Sequence, residues 1–262
     1  MKIGMSTWSL LSMSLTDAIK KIGEEKFQSI EIWGEIPHGY HEVASPKKVK
    51  DALSTFGMEV TAHAPFHDLN PGCTYHDVSA TTLKSLSSFV EFSRQIGVTQ
   101  VTFHPGSTYD ASLVDRSINS ASLLFKQLAQ LGGGTIDMNI ENQYADKTGY
   151  SFNIGGRDEW LSKVLRSVDG LGMTIDTGHA NVNREDPAVL LETYEDAVRN
   201  VHLNNNRGLA DEHNLPSEGT ADLAKFMKAA KKVRDITVTL ELNPFRYRPK
   251  EVLAVGRAAL GK

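Results

Sequence analysis

Eight short runs of apolar and β-branched residues recur along the chain, near residues 2–8, 29–33, 58–63, 99–104, 135–141, 172–176, 199–204 and 236–241. The stretches between them carry apolar residues at helical spacing, such as Leu15, Ala18, Ile19 and Ile22, or Leu161, Val164, Leu165 and Val168. Strands that alternate with helices pair in parallel through right-handed crossovers, and eight such units are the number that closes a barrel. The whole chain, residues 1–262, is therefore expected to be one α/β domain, a single (β/α)8 TIM barrel. An open doubly wound sheet is the rival architecture, but no G-x-G-x-x-G turn follows the first run. "LGGGTI" at 131–136 comes after a helix and before a strand, which puts it on the N-terminal face as a helix cap.

The runs end in an unusual way. "VTAHAPF", "VTFHPGS", "MNIENQY", "MTIDTGHAN", "VHLNNNRG" and "VTLELNP" each close an apolar stretch on His, Glu or Asp. Side chains alternate faces along a strand, so Thr61 and His63, Thr102 and His104, Asn139 and Glu141, Thr174 and Asp176, Asn200 and His202, and Thr239 and Glu241 form one set. Their apolar neighbours, from Val60 and Ala62 through Val238 and Leu240, face the helices. The polar set points into the barrel with its last members at the C-terminal mouth, where barrel enzymes hold their chemistry. Burying several carboxylates and imidazoles together costs several kcal/mol per uncompensated charge. Cations or an extensive salt-bridge network answer that cost, and a metal site is expected at the mouth. His179 follows Asp176 by three residues, and "ADEH" adds Asp211 and His213, which brings the donor count to five His and four carboxylates. With no thiolate in the set, zinc, manganese or a similar divalent ion suits it, and the donors are enough for more than one.

Composition narrows the class of activity. With 40% hydrophobic and 23% charged residues the chain has enough apolar surface for a core, and a net charge of -4 provides no general attraction for polyanions. "MKIGMSTWSLLSMSL" lacks the unbroken apolar segment of a signal peptide, no run approaches membrane-spanning length, and Cys73 has no partner for an internal disulfide. A cytoplasmic location without membrane association is expected.

These motifs, in this order over nearly the whole chain, resemble the xylose isomerase-like barrel superfamily, which includes the endonuclease IV relatives (AP endonuclease family 2). In endonuclease IV the resemblance implies three zinc ions on nine ligands, which fall here on His63, His104, Glu141, Asp176, His179, His202, Asp211, His213 and Glu241. In the sugar isomerase and epimerase branches it implies one essential metal on Glu141, Asp176, His202 and Glu241, with Glu141 and Glu241 also acting as acid and base; His179 and Arg207 are candidates to orient the substrate's oxygens. Departures separate the two. The nuclease has "ENTAGQG"-like and "HLNDSK"-like stretches where this chain has "ENQYADKTGY" and "HLNNNRG", and Ser217 replaces the first glycine of its "GEG". The loops after strands 2, 3 and 4 are also poor in the Lys and Arg that neutralise phosphates, and Lys47, Lys48 and Lys50 have the spacing of a solvated helix face beginning near Pro46.

The resulting expectation is a metal-dependent isomerase or epimerase acting on a small sugar or sugar phosphate. The alternative is a zinc-dependent phosphoesterase acting at abasic sites in DNA. A metal-binding barrel without catalysis has little in its favour. Trp8, Trp33, Phe66 and Arg207 are candidate substrate contacts, and the loop residues His38, His41, His67 and His76 lie on the same face. For Arg207, Arg246 and Arg248 a surface role competes with substrate binding, and Cys73 has no histidine-based partner in sequence to make it a nucleophile.

Overall fold

The computed structural model describes residues 1–43 and 45–261. Eight parallel strands form a closed barrel: β1 (Lys2–Ser6), β2 (Ser29–Trp33), β3 (Glu59–His63), β4 (Gln100–Phe103), β5 (Asp137–Glu141), β6 (Gly172–Asp176), β7 (Val198–Leu203) and β8 (Thr237–Leu240). Each pairs with its neighbours in chain order. β1 closes on β8, with Gly4 opposite Thr239. The surrounding helices are α1 (Leu15–Glu24), α2 (Pro46–Ser54), α3 (His76–Ile96), α4 (Val114–Gly132), α5 (Asp158–Ser167), α6 (Thr177–Asn183), α7 (Pro187–Thr193), α8 (Leu223–Ala230) and α9 (Pro249–Ala259). Among the described residues no helix is long and apolar enough to cross a membrane.

The alternation read from sequence sorts the strands as expected. Val60, Ala62, Val101, Phe103, Met138, Ile140, Met173, Ile175, Val201, Leu203, Val238 and Leu240 are all buried in the layer between barrel and helices. Phe103 of β4 meets Phe125 of α4 edge to face, with ring centroids 5.7 Å apart. Such layers bury apolar surface worth about 1.5–3 kcal/mol per large side chain. Gly133 ends α4 in the left-handed conformation at φ 58°, so "LGGGTI" is a helix cap on the N-terminal face. Lys47, Lys48 and Lys50 lie on α2, whose Val49 and Leu53 turn inward.

Inside the barrel the side chains are polar, where branched apolar residues usually fill the layers. Thr102 and Thr174 hydroxyls meet at 2.7 Å, Thr239 donates to Asn200 Oδ1 at 3.2 Å, and Asn139 Nδ2 donates to Gln100 Oε1 at 2.9 Å. Hydrogen bonds across the barrel replace apolar packing and leave a hydrogen-bonded floor beneath the mouth.

One element escapes the periodicity. Ser107–Thr108 and Phe152–Asn153 form a two-stranded antiparallel ribbon joining the loops after β4 and β5. Two-residue strands have no period to read. Their placement depends on Asn70, whose amide bonds both Ser107 O and Ser107 N at 2.9 Å.

Candidate functional site

The ends of β3 to β8 deliver His63, His104, Glu141, Asp176, His202 and Glu241 to one place, and α6 and the loop after β7 add His179, Asp211 and His213. The donor atoms of Glu141, Asp176, His202 and Glu241 all lie within 4.8 Å of one another. His202 Nδ1 is 2.8 Å from Glu141 Oε1 and 3.3 Å from Glu241 Oε2. On the other side of Glu141, Oε2 faces His104 Nε2 at 3.1 Å and His63 Nε2 at 3.6 Å. A third group centres on Asp211, whose Oδ2 is 3.2 Å from His179 Nε2 and 3.1 Å from His213 Nε2.

Local structure holds these groups still. Asp176 is the N-cap of α6: its Oδ1 accepts from His179 N at 2.7 Å, and its Oδ2 accepts from Asn204 Nδ2 at 2.7 Å. Asn142 brackets the same residue, accepting from Asp176 N at 2.7 Å and donating to Asp176 O at 3.0 Å. The glycine in "DTGHAN" has a steric reason, because a Cβ on Gly178 would sit 2.0 Å from Asn204 Oδ1.

The hydrogen bonds made by the donor set fit a divalent cation. A backbone carbonyl can only accept, so the 2.8 Å contacts of His63 Nδ1 with Ala64 O and of His179 Nδ1 with Asn142 O require protonated Nδ1 atoms. His213 Nδ1 does the same with Glu241 O at 3.1 Å. In the neutral rings each Nε2 lone pair then points at the cluster, the arrangement of a metal-ligating imidazole whose other nitrogen is anchored. Asp211 Oδ1 is buried with no hydrogen-bond partner among the described residues.

Without a cation the cluster distributes protons unevenly. Burial alone would raise Glu141, yet His202, His104 and His63 hold it well below the usual carboxylate range. Burial raises Glu241 above that range, with His202 and His213 only partly offsetting it. His202 is held well above ordinary imidazole values, against its burial, by Glu241, Glu31 and Glu141. Burial pushes His104 down, although its side chain keeps 22% of its surface open to the mouth.

Asp211 counters the burial of His213 and lifts it to about 10 from an ordinary 6.5, while the two imidazoles depress Asp211. A raised imidazole stabilises the fold fully below its unfolded value and loses that contribution as the pH climbs through the folded one. The metal-free protein is therefore expected to lose thermal stability between pH 6.5 and about 10. Asp211→Asn should flatten that slope in melting curves. Asp211 itself contributes above its ordinary 3.8 and loses that contribution as the pH falls below it.

Above the cluster opens a cavity of about 490 Å³ walled by Trp8, Trp33, Phe66, Tyr144 and Phe245, with amides from Gln143, Asn153 and Asn243. Trp8 and Trp33 lie 5.6 Å apart, Trp8 packs on His213 at 4.8 Å, and Phe66 stacks on His104 at 4.1 Å. No Lys or Arg is among the described residues that line it. Arg207 is not brought here. It is exposed and borders a separate surface cavity with Arg184, Asp186 and Asp222, because Asn206 turns inward to Gly178 O and Arg207 N is taken by Glu212. Arg246 is likewise spoken for, 3.7 Å from both Glu212 and Glu218. Of the loop histidines, His67 reaches the cavity wall; buried His38 donates to Met13 O at 2.9 Å, His41 packs on Tyr40, and His76 is exposed at the start of α3. Cys73 is half-exposed beside a different, smaller cavity.

Three residues of the site have no counterpart among the donors inferred from sequence. Gln143 donates to Glu141 Oε2 at 2.9 Å. Glu35 accepts from Phe66 N and His67 N at 2.6 and 2.7 Å and so sets the aromatic wall. Glu31 lies fully buried beneath His202. A charge inside the apolar run "SIEIW", in phase with Ser29 and Trp33, is the signal that marks it.

Fold and site together define a (β/α)8 barrel with a buried carboxylate–imidazole centre at its mouth. The chain belongs to the family described as xylose isomerase-like TIM barrel, whose model matches residues 16–259. An uncharacterized protein of Methanocaldococcus jannaschii, MJ1311, is 28% identical over 270 residues, covering 97% of this chain and 88% of that one. A probable endonuclease 4 of Thermoplasma acidophilum is 26% identical over 204 residues, covering 72% and 68%. Among solved structures, a D-tagatose 3-epimerase-like protein superposes with a TM-score of 0.86 at 24% identity, over 100% of this chain and 96% of that one. The IolI protein with a bound zinc atom superposes at 0.80 with 16% identity, over 99% and 96%.

Proposed function

We propose that the protein is a divalent-metal-dependent isomerase or epimerase that acts on an uncharged, sugar-like hydroxy-carbonyl compound. The observation that carries this reading is the four-donor cluster of Glu141, Asp176, His202 and Glu241 under a mouth of aromatic rings and amides that contains no Lys or Arg among its described lining. A phosphorylated sugar or a DNA backbone calls for Lys or Arg at the phosphate, and this mouth offers neither among its described lining. Aromatic faces and carboxamides instead suit the C–H faces and hydroxyls of a neutral polyol. The sugar epimerases among the fold relatives support the same class.

Glu141, Asp176, His202 and Glu241 would hold the ion. A cation bound there supplies Lewis acidity that acidifies the C–H next to a carbonyl. Glu141 and Glu241 approach His202 Nδ1 together, which places two carboxyl groups side by side at the base of the mouth. One carboxylate removes the proton from carbon and the other carboxylic acid returns one, so the proton count is conserved over the cycle. Their environments push them apart, with Glu141 held ionised and Glu241 held toward its protonated form in the metal-free protein, which is the pattern of an acid and base pair. Trp8, Trp33 and Phe66 exclude water from one side, and Gln143 orients Glu141.

The deciding experiment incubates metal-loaded protein in D2O with a panel of free ketoses and ketose phosphates and follows loss of the exchangeable C–H by NMR. Exchange with a free ketose and none with its phosphate is the expected result. No exchange with any member of a broad panel would argue against the reading. The phosphoesterase reading has its own support in the convergence of all nine donors and in the endonuclease 4 relative. It predicts incision of abasic-site DNA that falls steeply with salt.

A further inference from the structure

Glu31 occupies the middle of β2, points into the barrel and is fully buried. Its Oε2 lies 3.1 Å from His202 Nε2 and 3.0 Å from Asn200 Nδ2, and its Oε1 is buried with no hydrogen-bond partner among the described residues. A carboxylate in such a place costs several kcal/mol before compensation, and barrel interiors are ordinarily filled by branched apolar side chains. Packing therefore does not explain it. Its contact with His202 does. A carboxylate oxygen can only accept, and an unprotonated Nε2 would set its lone pair against Oε2, so the ring must carry its hydrogen on Nε2. Nδ1, 2.8 Å from Glu141 and 3.3 Å from Glu241, is the nitrogen on the metal-centre side, and its hydrogen is the one a cation would displace while Glu31 keeps the other on Nε2. The other three anchored imidazoles, His63, His179 and His213, use the opposite arrangement, donating from Nδ1 to a backbone carbonyl.

We infer that Glu31 is a positioning residue: it accepts the Nε2–H of His202 and so commits Nδ1 to the metal centre formed with Glu141, Asp176 and Glu241. The inference rests on the metal-dependent reading above. Asn200 steadies the arrangement, because its amide donates to Glu31 while its Oδ1 accepts from Thr239 at 3.2 Å. His202 is thus held between one carboxylate that keeps a hydrogen on Nε2 and two that face Nδ1, the nitrogen a cation would take.

The test compares wild-type protein with Glu31→Gln and Glu31→Leu in zinc affinity, by competition with a chromogenic chelator, and in the 15N NMR signature of His202 in zinc-loaded protein. Loss of an outer carboxylate behind a ligating histidine costs about 10–100-fold in metal affinity. Glu31→Leu is expected to weaken zinc by that factor. Glu31→Gln retains an oxygen acceptor and should lose only a few-fold. Melting of the metal-free variants shows that each is folded. Unchanged zinc affinity in a folded Glu31→Leu protein would overturn the inference while leaving the metal centre intact. So would a zinc-loaded wild-type His202 protonated on Nδ1, a readout that stands even if neither variant folds. Failure of the wild type to bind zinc or manganese at all would instead overturn the metal-dependent reading, and the inference with it.

Discussion

Glu141→Gln and Glu241→Gln are each expected to lower turnover by about 10²–10⁴-fold, the range associated with losing a positioned acid or base. The substitution keeps the shape of each side chain and removes its capacity to exchange a proton. The two effects should differ in kind. If one carboxyl group strips the proton and the other returns it, one of the two variants will still exchange substrate hydrogen with D2O from a single epimer while no longer forming the other. His63 and His104 lie beside the four-donor group, at Glu141 Oε2 and, for His63, stacked 5.6 Å from His202, so His63→Ala and His104→Ala are expected to cost about tenfold. Steady-state rates and deuterium incorporation measured on the four variants decide the matter. An equal collapse in all four would favour the phosphoesterase arrangement, in which every donor serves a multinuclear centre.

Removing the metal should have the second large effect. Chelator-treated protein is expected to lose all activity and to melt at a lower temperature. Returning zinc or manganese at about 1,000 times its dissociation constant adds about 4 kcal/mol to the folded state. For a domain of this size that is a rise of about 8–16 °C in Tm. Asp176→Asn should abolish most of the rise, because Asp176 is both a member of the four-donor cluster and the cap of α6. The shift should also grow from pH 6 to pH 8. In the metal-free protein the neighbouring carboxylates keep His202 and His213 protonated near neutrality, so a cation must displace those protons to bind. Thermal melts with and without metal at the two pH values measure it. A shift independent of pH would mean that the imidazoles take no part.

Much of this site is legible in the order of the amino acids. The runs at 29–33 and 172–176 coincide with β2 and β6, the first followed by Gly34 and the second ending on the Asp176 cap of α6. The period of two assigns His63, Glu141, Asp176 and His202 to the barrel interior, since pleating leaves no other choice once their apolar neighbours are buried under helices. His179 is equally local: an Asp at the N-cap places the residue three positions on against it.

Other features depend on contacts between distant parts of the chain. Glu31 and His202 are 171 residues apart, and only barrel closure puts them 3.1 Å from each other. The ribbon of Ser107–Thr108 and Phe152–Asn153 forms where Asn70 reaches across to it. Arg207 follows a site strand yet faces away, because Asn206 takes the inward position and Glu212 binds the backbone that follows. Periodicity and capping act within one element, so the sequence by itself determined the barrel class and the inward face of the six strands that end on His, Glu or Asp, and it named nine candidate donors. Which donor atoms meet, which imidazole nitrogen is free, and whether the mouth carries positive charge depend on side chains from separate strands and loops. The tertiary structure decided those, because their hydrogen bonds exist only after the barrel has closed.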